Sequence, residues 1–331
     1  MENNSNANTI CVKFVILAAG KGTRMNEGRP SLVPKALIPL GGRPMISYIL
    51  ETISKISSHM PYALSYKIKN KDNLQLKTYS LQLEISKPIL VIGYKGEMIK
   101  KEFGDSCNYV WQRQRLGTGH AARLAVDYIF KNSSIGDRLT SIESSTGDSI
   151  SDEKPKTNNF SIDDNRTTNN LVFILQGDDS AFYKPETLFD IIKNHIKNNA
   201  TLTFITTRLP DVKDLGRVLR DKNGSVCGIA EKENMTPEIE KINEINCGGY
   251  LFNLDWGVKA IKKIKKHLKG GKEYPLPDII KLALDNDLAM KQFNNGSANV
   301  IAYEIPSEEW RGINSPDQLI IAEKKIKVKN N

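Results

Sequence analysis

Apolar residues in this chain fall into two patterns that alternate along its length. Phe14–Leu17, Pro88–Ile92 and Leu171–Leu175 are short runs without polar interruption, which predicts strands buried on both faces of a parallel sheet. Between them, apolar residues recur at helical spacing. Met45, Ile46, Ile49, Leu50, Ile53 and Ile56 follow Pro44, which predicts a core-facing helix opened by that proline. Ala121, Ala122, Leu124, Ala125 and Ile129 mark a second helix, and Ile191, Ile192 and Ile196 after Pro185 a third. A short helix to Phe103 and a strand ending near Gln112 lie between the first two. Strands are expected at Thr201–Thr206, Asn243–Leu254 and Asn299–Ile305, and helices at Trp256–Leu268, Pro277–Leu284 and from Pro316 to about Lys327. The alternation predicts an α/β fold, Rossmann-like and doubly wound around a mostly parallel sheet.

Three stretches depart from it. Asp221-Lys222-Asn223-Gly224, between Arg217–Arg220 and Val226–Glu231, predicts an inserted β-hairpin, with Asn-Gly suited to a type I′ turn. Residues 61–87 carry no clean period, and residues 132–170 are rich in Ser, Thr, Asn and Asp; both are expected to be insertions, the second a flexible one. Residues 1–10 are expected to form a flexible tail before a single domain at 11–328.

Composition narrows the function. The 331 residues are 39% hydrophobic with a formal charge of +9. That charge is spread out, and no stacking-aromatic or groove-reading motif accompanies it, which argues against nucleic acid. Small polyanionic substrates and solvated helix faces account for the excess. Cys11, Cys107, Cys227 and Cys247 form no C-x-x-C pair, so free thiols in a reducing compartment are expected. With neither a basic leader nor a run of about 20 apolar residues, the expectation is a cytosolic protein that engages no membrane.

The richest chemistry lies in FVILAAGKGTRMNEGRPSLVPK, residues 14–35. The first strand ends at Leu17, Ala18, Ala19, Gly20 and Gly22, small residues whose backbone N–H groups can turn toward an anion. Arg24 and Lys35 add two cations. The order fails the P-loop, because Lys21 precedes Gly22 and Thr23 precedes Arg24. It also fails the dinucleotide fingerprint, whose third glycine is replaced by Met25.

Leu17 to Met25, followed by Pro34-Lys35, resembles the L-A-A-G-x-G-T-R-M…P-K signature of the sugar-phosphate nucleotidylyltransferases. Gln112 with Leu116-Gly117-Thr118-Gly119-His120-Ala121 is similar to the Q-x-x-x-L-G-T-G-H-A of the N-acetylglucosamine-1-phosphate uridylyltransferases. The likeness runs from about Val12 to Lys325. It implies the nucleotide-diphospho-sugar transferase fold, with the hairpin forming the sugar side. Leu17, Ala18, Ala19, Gly20, Gly22, Thr23, Gln112, Gly117 and Thr118 would then bind the nucleotide, and Arg24 and Lys35 would be catalytic. Gln112 offers an amide donor and acceptor to a uracil edge, which presents both.

Gly177-Asp178 resembles the family's G-D, whose aspartate binds Mg²⁺, and Gly312-Ile313-Asn314 with Gln318-Leu319 resembles its G-V-N-x-x-x-Q-L. The resemblance therefore implies Mg²⁺ on Asp178 and Asn314. Asp179 is read either as a ligand through water or as a cap on the region that follows, with the cap preferred. Leu215-Gly216-Arg217, Glu231 and Glu244-Ile245-Asn246-Cys247-Gly248 are similar to the sugar-side segments, which places Gly216, Glu231 and Asn246 at the sugar phosphate.

The substrates implied are UTP and a sugar 1-phosphate, foremost N-acetylglucosamine 1-phosphate. Cys247, where the family has threonine, and the long loop between Arg24 and Lys35 leave glucose 1-phosphate and thymidylyl transfer open. A catalytically silent regulatory subunit and an alcohol-phosphate cytidylyltransferase are the competing classes; a homo-oligomer also stays open. No hexapeptide array occurs, so the acetyl transfer of bifunctional relatives is not expected.

Overall fold

The computed structural model describes residues 8–26, 31–59, 63–69, 76–133, 170–212, 215–231, 234–285 and 299–330. The core of its main sheet runs β7-β6-β1-β8-β12-β9-β13. β1 (Asn8–Ala18), β6 (Ile89–Ile92), β7 (Asn108–Trp111) and β8 (Asn170–Gln176) are parallel. β12 (Glu244–Asn253) runs antiparallel to β8 and to β9 (Leu202–Arg208), and β13 (Val300–Glu304) closes that edge parallel to β9.

The apolar runs are buried on both faces because successive side chains point to opposite sides of the sheet. Val12, Phe14 and Ile16 of β1, with Phe173 and Leu175 of β8, face α1 (Met45–His59), α2 (Gly96–Phe103) and α4 (Pro185–Lys197). Phe14 and Phe173 stack there at 5.3 Å between ring centroids. Val15, Leu17, Val172 and Ile174 face the other way, onto α3 (Thr118–Lys131), α5 (Leu254–Lys263) and α6 (Asp278–Leu284). Helices on both faces make this the doubly wound architecture expected from the sequence. A last helix, α7 (Pro316–Asn330), packs through Ala322 and Ile326 on Leu40 and Met45.

Several boundaries differ. Asn8–Ile10, expected in a flexible tail, belong to β1 and pair with Leu81–Leu83; residues 1–7 lie outside the described residues. Pro44 does not open α1; it ends a two-residue strand paired with Pro39. Within 61–87, β4 (Ala63–Lys69) and β5 (Leu76–Ile85) form a hairpin, and β5 adds in parallel to the first half of β1. Of the stretch 132–170, residues 134–169 lie outside the described residues. The basic helix breaks at Lys263 because Ile264 is extended.

The hairpin of β10 (Arg217–Arg220) and β11 (Val226–Ala230) is present, but its turn is not type I′. Only Gly224 has positive φ, at +81°. The Asp221 carboxylate accepts from the N–H groups of Asn223 and Ser225, both at 2.9 Å, which holds Asn223 out of the left-handed region and shifts the register at Arg220. The hairpin is anchored by Glu244, 2% exposed, which takes Arg220 at 2.6 Å and Arg208 at 3.2 Å. Burial alone would raise that carboxyl; Arg220, Thr206 and Arg208 outweigh it and hold Glu244 below its ordinary range. All four cysteines are unpaired. No helix among the described residues is long and apolar enough to cross a membrane.

Candidate active site

The carboxyl ends of β1 and β8 lie side by side because Gly177 N–H donates to Leu17 O at 3.0 Å, where a Cβ on Gly177 would stand 3.1 Å from that oxygen. This sets Asp178 beside the small-residue loop. A cavity of about 400 Å³ opens there, lined by Leu17–Gly20, Lys35, Ala36, Gln112, Gly117, Thr118 and Asp178. A crevice at the strand ends of an open α/β sheet is the expected ligand position.

Two distant segments pack against Lys35 and Asp178. Gly22, at φ +67°, packs against Lys35, where a Cβ would stand 3.3 Å from that lysine's Cβ. Ile313 N–H donates to Asp178 O at 3.0 Å, which brings Asn314 alongside, and Asn314 N–H donates to Gln318 Oε1 at 2.6 Å. The Lys35 ammonium, 9% exposed as a residue, bonds Asp178 Oδ2 and, at 2.8 Å, Asn314 Oδ1. Arg24 Nη2 reaches the same Asn314 oxygen at 2.8 Å. Arg24, Lys35, Asp178 and Asn314 therefore form one connected group, although 290 positions separate Arg24 from Asn314.

The Asp178 and Asn314 oxygens already converge on a cation, the Lys35 ammonium. One carboxylate and one carbonyl oxygen suit Mg²⁺, which takes few protein oxygens and keeps places for phosphate and water. The donor set fits the metal that the resemblance implies. Among the described residues no cluster of three or more His, Cys, Asp and Glu side chains offers another site.

Asp179 caps no helix: α4 begins at Pro185, with Lys184 in the N-cap position. Its Oδ1 is buried without a partner among the described residues. Burial first, then the neighbouring Asp178 charge, push its carboxyl well up, and Lys35 only partly opposes them.

Gln112 is 5% exposed, and its Nε2 donates to Gly117 O at 2.9 Å and lies 3.2 Å from His120 Nδ1. One amide hydrogen thus has a fixed partner inside the protein, Gly117 O. Thr118 lines the cavity, but its hydroxyl accepts from Leu276 N–H at 3.2 Å. Gly22, Thr23, Arg24 and Asn314 are outside the cavity lining.

Gly216, Glu231 and Asn246 gather in a second group. A Cβ at Gly216 would stand 3.3 Å from both Glu231 carboxylate oxygens, and Asn246 N–H donates to Gly216 O at 3.3 Å. Asn246 Nδ2 donates to Tyr250 Oη at 2.8 Å, and its Oδ1 accepts from Gly248 N–H at 3.1 Å. Asn246 and Tyr250 both pair with β9, but the register shifts between them, with Gly248 at φ +78°, so Cys247–Gly249 have no place in that ladder. At Gly248 a Cβ would lie 3.0 Å from Gln176 Cγ and 3.7 Å from Asp179 Oδ2, so this segment packs against the end of β8.

Arg115, Gln176, Glu273, Tyr274, Pro275 and Pro277 also line the cavity and were missed in the sequence. The segment Glu273–Pro277 lies across the glycine loop: Tyr274 N–H donates to Leu116 O at 2.7 Å and Gly119 N–H to Tyr274 O at 2.9 Å. Nothing local in E-Y-P-L-P signals this; only the tertiary contact does.

A family model described as nucleotidyl transferase matches residues 79–328, and one described as MobA-like NTP transferase domain matches residues 14–69. The chain belongs to the nucleotidyl transferase family. Within that family it is 28% identical over 310 residues to the bifunctional protein GlmU of Thermoanaerobacter pseudethanolicus, covering 94% of this chain and 50% of that protein. It is 27% identical to GlmU of Desulfotalea psychrophila, over 96% of this chain and 71% of the relative. With GlmU of Bacillus subtilis the identity is 26%, over 96% of this chain and 52% of the relative. This nucleotidyl transferase chain thus spans about half the length of two of these curated relatives and more of the third. A Bacillus anthracis chain assigned as a glucose-1-phosphate thymidylyltransferase, solved with sucrose, superposes with a TM-score of 0.57 at 15% identity, covering 95% of this chain and 94% of that one. That likeness establishes the shared fold.

Proposed function

We propose that the chain transfers a uridylyl group from UTP to a sugar 1-phosphate, releasing pyrophosphate, and that the sugar is N-acetylglucosamine. The observation that carries this reading is the connected group in which Lys35 meets Asp178 and Asn314 and Arg24 meets Asn314, with Lys35 and Asp178 lining the same cavity at the strand ends as Gln112. Family membership and the GlmU relatives support it.

In the reaction a phosphate oxygen of the sugar 1-phosphate attacks the α-phosphorus of UTP in line. The new P–O bond forms as the bond from the α-phosphorus to the bridging oxygen breaks, and pyrophosphate leaves with that electron pair. No protein nucleophile is needed, so catalysis rests on positioning and charge. Lys35 and Arg24 act as fixed cations against the triphosphate, and backbone N–H groups of Ala18 to Gly20 face its oxygens. Glu231 and Asn246 orient sugar hydroxyls. A Mg²⁺ ion held by Asp178 and Asn314 would neutralise phosphate charge when bound.

The test is pyrophosphate release from UTP, dTTP, CTP and GTP, each paired with glucose, N-acetylglucosamine, galactose and mannose 1-phosphates. The expected maximum is UTP with N-acetylglucosamine 1-phosphate. A UTP–glucose maximum would remove only the N-acetyl assignment, a GTP–mannose maximum would remove the uracil-reading role of Gln112, and no release from any pair would leave a silent subunit.

A further inference from the structure

Gln112 has a neighbour to which neither the resemblance nor the reaction assigns a part. We propose that His120 is a positioning residue for base selection: its unprotonated Nδ1 holds the second amide hydrogen of Gln112, leaving Oε1 alone to meet the base. This rests on the nucleotide reading of the cavity given above.

Gly117 O can only accept, so the Gln112 atom 2.9 Å away must be the amide nitrogen and not its oxygen. That orients the whole amide. Its second hydrogen is then left for His120 Nδ1 at 3.2 Å, which requires Nδ1 to carry a lone pair and the proton to sit on Nε2. The surroundings favour that neutral ring. Burial, then Arg123, then Lys266 lower the His120 pKa, against a backbone bond at Gln114 that raises it. The ring stacks on Tyr274 at 6.3 Å, and the Arg123 guanidinium lies 4.8 Å from the Tyr274 centroid. No donor among the described residues reaches Gln112 Oε1, and Gln112 lines the cavity.

An acceptor presented alone selects a base edge that donates. Uracil and thymine present N3–H and guanine N1–H, while cytosine and adenine present a ring lone pair there. Acceptor against acceptor leaves two buried groups unpaired, the costly case. His120 thus separates bases with a ring N–H from those without one; room in the cavity must separate pyrimidine from purine. Freed of His120, the second amide hydrogen becomes available to cytosine.

The experiment is calorimetric binding of UTP and CTP, so that it does not depend on turnover. His120→Phe keeps an aromatic face for Tyr274 but has no ring nitrogen, and His120→Leu serves in its place should the first variant melt early. Either should lower the UTP-to-CTP affinity ratio at least about tenfold, the worth of one discriminating hydrogen bond. His120→Asn, whose Oδ1 can accept from the amide, should stay within about threefold of the wild-type ratio. An equal loss for both nucleotides, with the ratio unmoved, would make His120 merely structural and overturn the proposal, as would a wild-type preference for CTP. A wild type that prefers UTP, loses that preference in His120→Phe and releases no pyrophosphate would overturn the proposed function while upholding this role.

Discussion

Gly117→Ala should cripple nucleotide binding through geometry alone. The residue has φ +91°, and a Cβ there would stand 2.5 Å from Tyr274 O and 2.9 Å from Tyr274 N. Ordinary contact begins near 3.5 Å, so the Tyr274 backbone must retreat by about 1 Å. With ψ at 176° the residue lies in an extended positive-φ region open essentially to glycine alone, which costs an alanine at least roughly 1–2 kcal/mol. The retreat breaks the bonds at 2.7 Å to Leu116 O and at 2.9 Å from Gly119 N–H, each worth about 1 kcal/mol. The sum is at least roughly 3–4 kcal/mol of lost stability, together with a displaced wall on the nucleotide cavity. Gly20→Ala is the control, because a Cβ there meets nothing within 4 Å and no positive φ is involved; its stability should stay within about 0.5 kcal/mol of wild type. Urea denaturation and UTP calorimetry on both variants provide the assay. Equal midpoints for Gly117→Ala and wild type, with unchanged UTP affinity, would refute the contact between the two segments.

Lys35→Ala and Asp178→Asn are each expected to lower turnover at least about 100-fold while the protein stays folded, since one preorganised charge contact is worth roughly 3 kcal/mol in such a transition state; near-full activity in either would dissolve the site assignment. His195 bears on stability. Burial pushes its pKa from 6.5 down to about 3, so the unfolded chain takes up a proton in that window and the folded one does not. Stability should be complete above pH 6.5 and fall as pH drops, and His195→Phe should narrow the loss between pH 6.5 and 5 by about 2 kcal/mol. Identical pH slopes in urea titrations of the two proteins would rule this out.

Residues that act through local chemistry were legible in the sequence. The unbroken run at Phe14–Leu17 announces a strand buried on both faces, and the small residues after it do line a cavity. Arg24, Lys35, Asp178 and Asn314 could be picked out by resemblance, and they do meet. Glu273 to Pro277 could not, because their place above the glycine loop depends on tertiary packing and their own sequence reads as an ordinary helix entry. The hairpin strands were readable and the turn type was not, since the Asp221 carboxylate competes with the Asn-Gly preference through bonds to the backbone. Gln112 could be singled out in the sequence but its orientation could not: an amide's two ends are equal in sequence, and only the contact with Gly117 O fixes which end faces inward.

The strap at Glu273–Pro277 bears on how the molecule comes to exist. Thr118 and Leu276, joined across the cavity rim, are 158 positions apart. The floor, made by β1, β6 and β8, can assemble once the chain reaches Gln176, but the roof arrives about a hundred residues later. On the ribosome a nascent chain therefore carries its phosphate loop long before it has a closed nucleotide pocket. Nucleotide can stabilise only the nearly finished fold, so it acts as a late brace on the product of folding and offers no help to its early steps.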